Sequence, residues 1–361
     1  MTHTFEIVTL PGDGIGVDVT REAVNVLRAV EATTSGVAFR IAEHPGGAQC
    51  YLDRGADMPA ETWTACRQAD AIYLGAMGLP HVRRDDGTEI APQLDLRFEL
   101  DLYAGIRPVV LFHEAHCPLK GYAAGDIDFV LVRESTEGLF VSRDHGLAVG
   151  NDTTIDHLVI TRAATQRVVK YACELAAGSG RKGKIACVDK ANVFQTYAFF
   201  RQIFNEVVDE YPQLERSHTY IDAMALYLVQ QPRTYDVIVT ENMFGDILSD
   251  LSAALVGGMG MAPSADIGEN HAVFQPAHGT APDLVGKDAA NPIAAILSVA
   301  MMLDHLATRR KAPVLVSAAA LIRRVVTELF AETPCTTPDL GGTMTCTQVG
   351  AAVCDRITRP G

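Results

Sequence analysis

DVIVTENMFGDILSDL, running from Asp236 to Leu251, opens as an apolar strand and continues as a helix carrying carboxylates. Asp236 to Thr240 is a short β-branched run of the kind buried in a parallel sheet. After it, Asn242, Asp246 and Asp250 recur every four residues, and Ile247, Leu248 and Leu251 supply apolar positions, so the spacing predicts a helix with one polar stripe. The same alternation extends outward in both directions. Phe5–Leu10, Ala71–Leu74, Asp128–Val132 and Ile185–Val188 read as further strands, and Val17–Ala32, Arg162–Ala177 and Ala198–Asp209 as helices between them. Strands alternating with helices predict an α/β fold with a largely parallel sheet.

The 361 residues suffice for about two domains with a large core. A net charge of −14 would repel a phosphate backbone, which argues against nucleic acid as a partner. The eight cysteines form no CxxC pair and no Cys/His metal spacing, and Cys173 and Cys187 sit in apolar surroundings, as in a reducing cytoplasm. The first residues, MTHTFEIVTLPGDGIG, hold no signal-length apolar run, and PIAAILSVAMML is too short to span a bilayer. A cytoplasmic protein with no membrane partner is expected.

Two carboxylates one helical turn apart suit a hard divalent cation, and ligands of α/β sheets gather at the carboxyl ends of strands. The alternative is a solvated face with a repulsive pair, for which no Lys or Arg stands at helical spacing to relieve it. Arg97, Arg107 and Arg133 each adjoin buried sequence, which suits bidentate capture of substrate carboxylates. Salt bridges to Glu99, Asp101 or Glu134 are the competing reading. Lys190 follows the strand KIACVD and would act as a base if desolvated, although alone it reads as an ordinary exposed lysine. Asp222 ends the strand-like SHTYID and is equally ambiguous. PGDGIG is a strand-to-helix turn and not a GxGxxG fingerprint. PAHGTAPDLVGKDAANP, from Pro276 to Pro292, offers His278 and a carboxylate, Asp283, able to accept both ribose hydroxyls of NAD, though such loops are usually plain turns.

In order along the chain, LPGDGIG, LDLRFELDLYAGIRP, VRESTEG, VDKANV, YIDAMA, DVIVTENMFGDILSD, HGTAPDLVGKDAANPIAAILSVAMML and TPDLGGT resemble the β-decarboxylating dehydrogenases, which act on isopropylmalate, isocitrate, homoisocitrate, tartrate and D-malate. The resemblance implies two open α/β domains, with a largely parallel sheet in the nucleotide domain. Residues 1–103 with 254–361 would bind nucleotide, and 104–253 would form a smaller dimerisation and substrate domain. It further implies a homodimer with shared active sites, NAD, and Mg²⁺ or Mn²⁺. Arg97, Arg107 and Arg133 would bind a small dicarboxylic hydroxy acid. Asp246 and Asp250 would hold the metal with Asp222 of the other subunit, and Lys190, also from there, would take the hydroxyl proton. His278, Gly279, Thr280, Ala281, Pro282, Asp283 and Asn291 would bind the cofactor. The metal would acidify the hydroxyl, hydride would pass to nicotinamide, and the β-carboxylate would leave as CO₂.

Two departures bear on the reaction. Seven residues beyond Arg133, where the family pattern has the tyrosine that helps protonate the product enolate, stands Phe140. Three readings follow: another group or water relays the proton, the reaction stops at oxidation, or the chain is a non-catalytic regulatory subunit. The segment GTEIAPQLDLR ahead of Arg97 lacks the patterns of the isopropylmalate, isocitrate and homoisocitrate enzymes. Gln93 and Leu94 there suggest a small or mixed-polarity substituent, as in tartrate, malate or a specialised biosynthetic analogue.

Overall fold

The computed structural model describes residues 3–143 and 145–359. Its strands are β1 (His3–Gly12), β2 (Val37–Glu43), β3 (Ala71–Ala76), β4 (Ala104–Val110), β5 (Asp128–Glu134), β6 (Leu147–Val149), β7 (Thr153–Ile155), β8 (Lys184–Asp189), β9 (Glu215–Tyr220), β10 (Val237–Thr240), β11 (Pro263–Ile267) and β12 (Ala272–Pro276). The helices are α1 (Gly16–Thr33), α2 (Ala48–Arg54), α3 (Ala60–Gln68), α4 (Pro92–Glu99), α5 (Arg162–Ala176), α6 (Gln195–Val208), α7 (Ile221–Gln230), α8 (Asn242–Ala254), α9 (Ile293–Arg309), α10 (Val314–Glu332) and α11 (Cys346–Thr358). None of the described helices is long and apolar enough to cross a membrane.

Among the described residues, ten strands form one sheet in the order β2-β1-β3-β12-β11-β4-β5-β10-β8-β9. The β2, β1, β3 and β12 strands are mutually parallel, and so are β5, β10, β8 and β9. Three antiparallel pairings, β12–β11, β11–β4 and β4–β5, join the two sets and turn the second against the first. The α/β class agrees with the alternation of strands and helices. That alternation did not expose the mixed centre, because the β4–β5 and β11–β12 connections contain no α-helix. A two-unit division at 104 and 254 would fall between β11 and β4, where the sheet is continuous.

Alternation along the central strands separates two faces. Ile106, Val130, Val132, Ala265, Ile267 and Phe274 point to one face and join the largest core with α1, α5, α9 and α10. On the other face the apolar cover is divided. Leu131, Ile238 and Leu248 pack with Met224 and Leu228 of α7, while Val8, Leu10, Ile72 and Leu74 pack with Leu96 and Leu100. Between these clusters one register row reads Val273, Asp266, Gly105, Arg133, Thr240. Val273 joins one flanking cluster, and the charged Asp266 and Arg133 occupy the stretch of the row that belongs to neither. Gly105 keeps the row open, since a Cβ there would lie 2.7 Å from Ser135 Oγ and 3.2 Å from Asp266 Oδ1.

The α8 helix forms where the spacing predicts. Glu241 caps it, accepting from the Met243 and Phe244 N–H groups at 3.2 and 2.8 Å. Leu248 is buried, but Ile247 is 58% exposed, so only part of the expected apolar stripe enters this core. Gly245 lets α8 lie against the stem of Arg133: a Cβ there would sit 2.6 Å from Arg133 Cγ and 2.7 Å from its Cβ. Alanine favours a helix interior by about 1 kcal/mol over glycine, whereas overpacking costs about 1–3 kcal/mol. The clash reaches atoms fixed close to the β5 backbone, so it outweighs propensity. Gly245→Ala is expected to lower urea stability by about 1 kcal/mol net; a variant as stable as the parent would show that the Arg133 stem is free to move.

Candidate active site

A cavity of about 320 Å³ opens over the charged row. Its walls come from the carboxyl end of β3, the start of α4, the polar stripe of α8, the end of β12 and the segment 277–279 that follows it. Arg97, Arg107, Arg133, Phe140, Asp246, Asp250, His278 and Gly279 all line it. Residues spread over some 180 positions of sequence therefore meet in one place.

Arg97 and Arg107 are both buried and share one carboxylate. Arg97 Nε donates to Asp266 Oδ2 at 3.3 Å and Arg107 Nη2 to Asp266 Oδ1 at 3.1 Å. Gln275 Nε2 adds a third donor at 3.0 Å. Burial opposes ionisation of Asp266, but Arg97, Arg107 and Arg133 outweigh it and hold the carboxyl at about 2. The acidic neighbours in sequence are engaged elsewhere. Glu99 pairs with Arg67, Asp101 with Arg167, and Glu134 accepts the Thr136 and Glu137 N–H groups.

Arg133 is the most buried of the three. Its Nε and Nη2 donate to Asn242 Oδ1 at 2.8 and 2.6 Å, Nη1 pairs with Asp246, and the guanidinium lies 5.1 Å from the Phe140 ring centre. Burial and the like charge of Arg97 push its pKa down to about 10, Asp246 opposing, so it stays cationic at neutral pH. Thus the polar stripe of α8 is split: Asn242 is a buried acceptor, while Asp246 and Asp250 face outward. Relief for the acidic pair comes from Arg133, far away in sequence. Burial and the adjacent Asp246 raise the Asp250 carboxyl, a mutual repulsion that a bound cation would relieve. Two oxygen-donor side chains one turn apart fit part of a hard-cation site. Among the described residues no cluster of three or more His, Cys, Asp or Glu completes one within the chain.

Lys190 and Asp222 do not line this cavity. They face each other, Nζ to Oδ1 at 2.6 Å, where the end of β8 meets the first turn of α7, and this contact lowers the Asp222 pKa. The cofactor candidates divide as well. His278 Nδ1 lies 2.9 Å from the Gly279 carbonyl, which leaves Nε2 as an acceptor, buried and without a partner among the described residues. Burial also lowers the His278 pKa and keeps the ring neutral. An orphaned acceptor on the cavity wall fits a bound nucleotide. Thr280 Oγ1 donates to the Gly78 carbonyl at 2.7 Å, and its own carbonyl accepts from Ile15 N at 2.9 Å, tying this segment to the PGDGIG turn. Ala281 adopts φ +37, a left-handed conformation unusual without glycine. Pro282 and Asp283 are exposed on the turn that follows. Asn291 is buried, donating to Asp339 at 3.0 Å and accepting from Ile293 N at the start of α9.

Asp266, Gln275 and Ser264 were not singled out from the sequence. Asp266 stands in MAPSADIG, and its only local signal is a lone carboxylate in a short segment of small and apolar residues.

The isocitrate/isopropylmalate dehydrogenase family matches residues 6–353. A 3-isopropylmalate dehydrogenase of Thermotoga maritima is 43% identical over 308 residues, covering 83% of this chain and 85% of its own length. A homoisocitrate dehydrogenase of Methanocaldococcus jannaschii is 37% identical over 98% of both chains. Among solved structures, an isocitrate dehydrogenase from Methylococcus capsulatus superposes with a TM-score of 0.87 at 33% identity, covering 98% of this chain and all of that one.

The Asp266 contacts make stability depend on acid. Its folded pKa lies below that of an unfolded aspartate, about 3.9, so the stabilisation is complete above about pH 4 and is lost as pH falls through about 2. Urea unfolding between about pH 4 and pH 2 should therefore show a loss of roughly 2 kcal/mol that Asp266→Asn lacks. Equal acid slopes in both proteins would mean that the carboxylate is not ionised inside.

Proposed function

The chain belongs to the isocitrate/isopropylmalate dehydrogenase family, and from that premise we propose that it oxidises and decarboxylates a malate-type dicarboxylic 2-hydroxy acid with a small polar group at C3. Family membership makes it an enzyme, an NAD-dependent decarboxylating dehydrogenase. The observation that carries the substrate reading is the convergence of three buried guanidiniums on a cavity of about 320 Å³.

Gln93 supports the polar substituent. It lines the cavity beside Leu94 and Phe140, and its Oε1 is buried without a hydrogen-bond partner among the described residues. A substrate hydroxyl would satisfy it, whereas an isopropyl group would leave it unpaired. The relatives are named for isopropylmalate and homoisocitrate, so a tartrate- or malate-like acid rests on this chain's own residues.

Arg97, Arg107 and Arg133 would clamp the two carboxylates and orient C2, with α4 and α8 screening the site from water. Lys190 would accept the hydroxyl proton as a free amine once a second copy brings it to the cavity mouth and Asp222 is drawn from it to the cation. Asp246, Asp250 and the second copy's Asp222 would hold a divalent cation, whose contribution is to make that hydroxyl more acidic, and the segment at His278 would hold NAD as the hydride acceptor. Phe140 holds no proton to donate, so the proton that replaces CO₂ reaches C3 from water or another side chain. A second copy is favoured by exposed apolar residues: Leu226 and Val229 on α7, Ile247 on α8, and Leu147, Val149 and Ile155 on the β6–β7 hairpin.

NADH and CO₂ measured separately with Mn²⁺ are expected to rise together, most strongly with a hydroxyl-bearing dicarboxylate; NADH without CO₂ would restrict the reaction to oxidation. Phe140→Tyr should then raise the CO₂-to-NADH ratio if the missing donor limits release. Shared sites have their own test. Lys190→Ala and Asp250→Asn should each be inactive, yet mixed and refolded together they should recover roughly one quarter of parental activity through random pairing. No recovery would place both residues in the site of a single chain.

A further inference from the structure

Asp266 is buried, is not among the residues that line the cavity, and holds two of the three guanidiniums that do line it. It meets Arg97 through Nε, away from the terminal nitrogens that present a fork to a carboxylate. Arg107 is fixed further, its Nη1 donating to the Ile106 and Ala265 carbonyls at 3.1 Å each. Both guanidinium planes are thus set by the sheet before substrate arrives, and Asp266 removes one unit of positive charge beneath them. At this seam the three arginine charges face three carboxylates, Asp246, Asp250 and Asp266. Each further carboxylate on a substrate brings one more negative charge to this seam, where Asp266 already supplies one from below. Without Asp266 one further guanidinium charge would be unopposed, in a partly desolvated place where a unit charge counts strongly.

We propose that Asp266 is a positioning residue that sets the charge of the accepted substrate, selecting dicarboxylates over tricarboxylates by neutralising one of the three clamp arginines from below. This rests on the reading of the cavity as a hydroxy-acid site and adds the reason that site prefers two carboxylates. Gly105 makes the arrangement possible: it stands opposite Asp266 in register and leaves the carboxylate room.

The test compares parent and Asp266→Asn holoenzymes, with Mn²⁺ and NAD, on malate or tartrate and on isocitrate. The ratio of kcat/KM for tricarboxylate over dicarboxylate is expected to rise roughly tenfold in the variant, mainly through KM for the tricarboxylate. An unchanged or lower ratio in a folded variant overturns the proposal, since loss of packing alone would weaken both substrates alike. If Asp266→Asn does not fold, the parent protein decides by calorimetric binding of succinate and propane-1,2,3-tricarboxylate. The tricarboxylate should bind more weakly than succinate at about pH 8, where every carboxyl of both ligands is ionised. Tighter binding of the fully ionised tricarboxylate at pH 8 overturns the proposal. Failure of the parent to turn over any hydroxy acid defeats the reaction instead, and the binding comparison still reports on charge selection.

Discussion

Three guanidinium groups brought into one partly desolvated space repel one another, and the structure depends on the carboxylate that holds two of them there. Asp266 occupies the centre of a sheet whose neighbouring strands run antiparallel, so its register partner can be a glycine and the next residue across an arginine. Placed at a surface, such a pair would contribute little. Inside, where an unpaired charge costs several kcal/mol, it decides whether Arg97 and Arg107 can lie buried at all. The apolar cover of that sheet face is interrupted at the same place, because Leu131 and its neighbours belong to one cluster and Leu74 and its neighbours to another.

A second consequence concerns completeness. The acidic pair of α8 is partly neutralised by Arg133 but supplies only two carboxylates, while Lys190 and Asp222 form a neutral pair of their own at another strand end. Neither half has the full set of groups that the proposed chemistry requires. Apolar side chains stand exposed on α7, on α8 and on the β6–β7 hairpin, and Asp222 and Asp250 belong to these same helices. Burial of those side chains by a second copy would couple assembly of the site to association.

Phe140 illustrates how a substitution redirects a position. Its ring lies against the Arg133 guanidinium, which helps to hold that cation over the cavity without a hydrogen bond. The position keeps a positioning contact and lacks proton chemistry. Gln93 behaves in the opposite way, bringing an unsatisfied polar atom to a wall otherwise lined there by Leu94 and the Phe140 ring.

Sequence alone determined the α/β class, since periods of two and of 3.6 residues are local properties; it also showed where strands end and helices begin around Thr240 and Asn242. It placed Asp246 and Asp250 on one helical face, because four residues make about one turn. The partners of the arginines were decided only by tertiary structure. Asp266 lies 169 residues from Arg97 and 159 from Arg107, and Asn242 lies 109 from Arg133, so strand order and register, which no local pattern encodes, brought them together. The same holds for Ile247: helical periodicity marked it as apolar, but only the packing of α8 against β5 turned it outward.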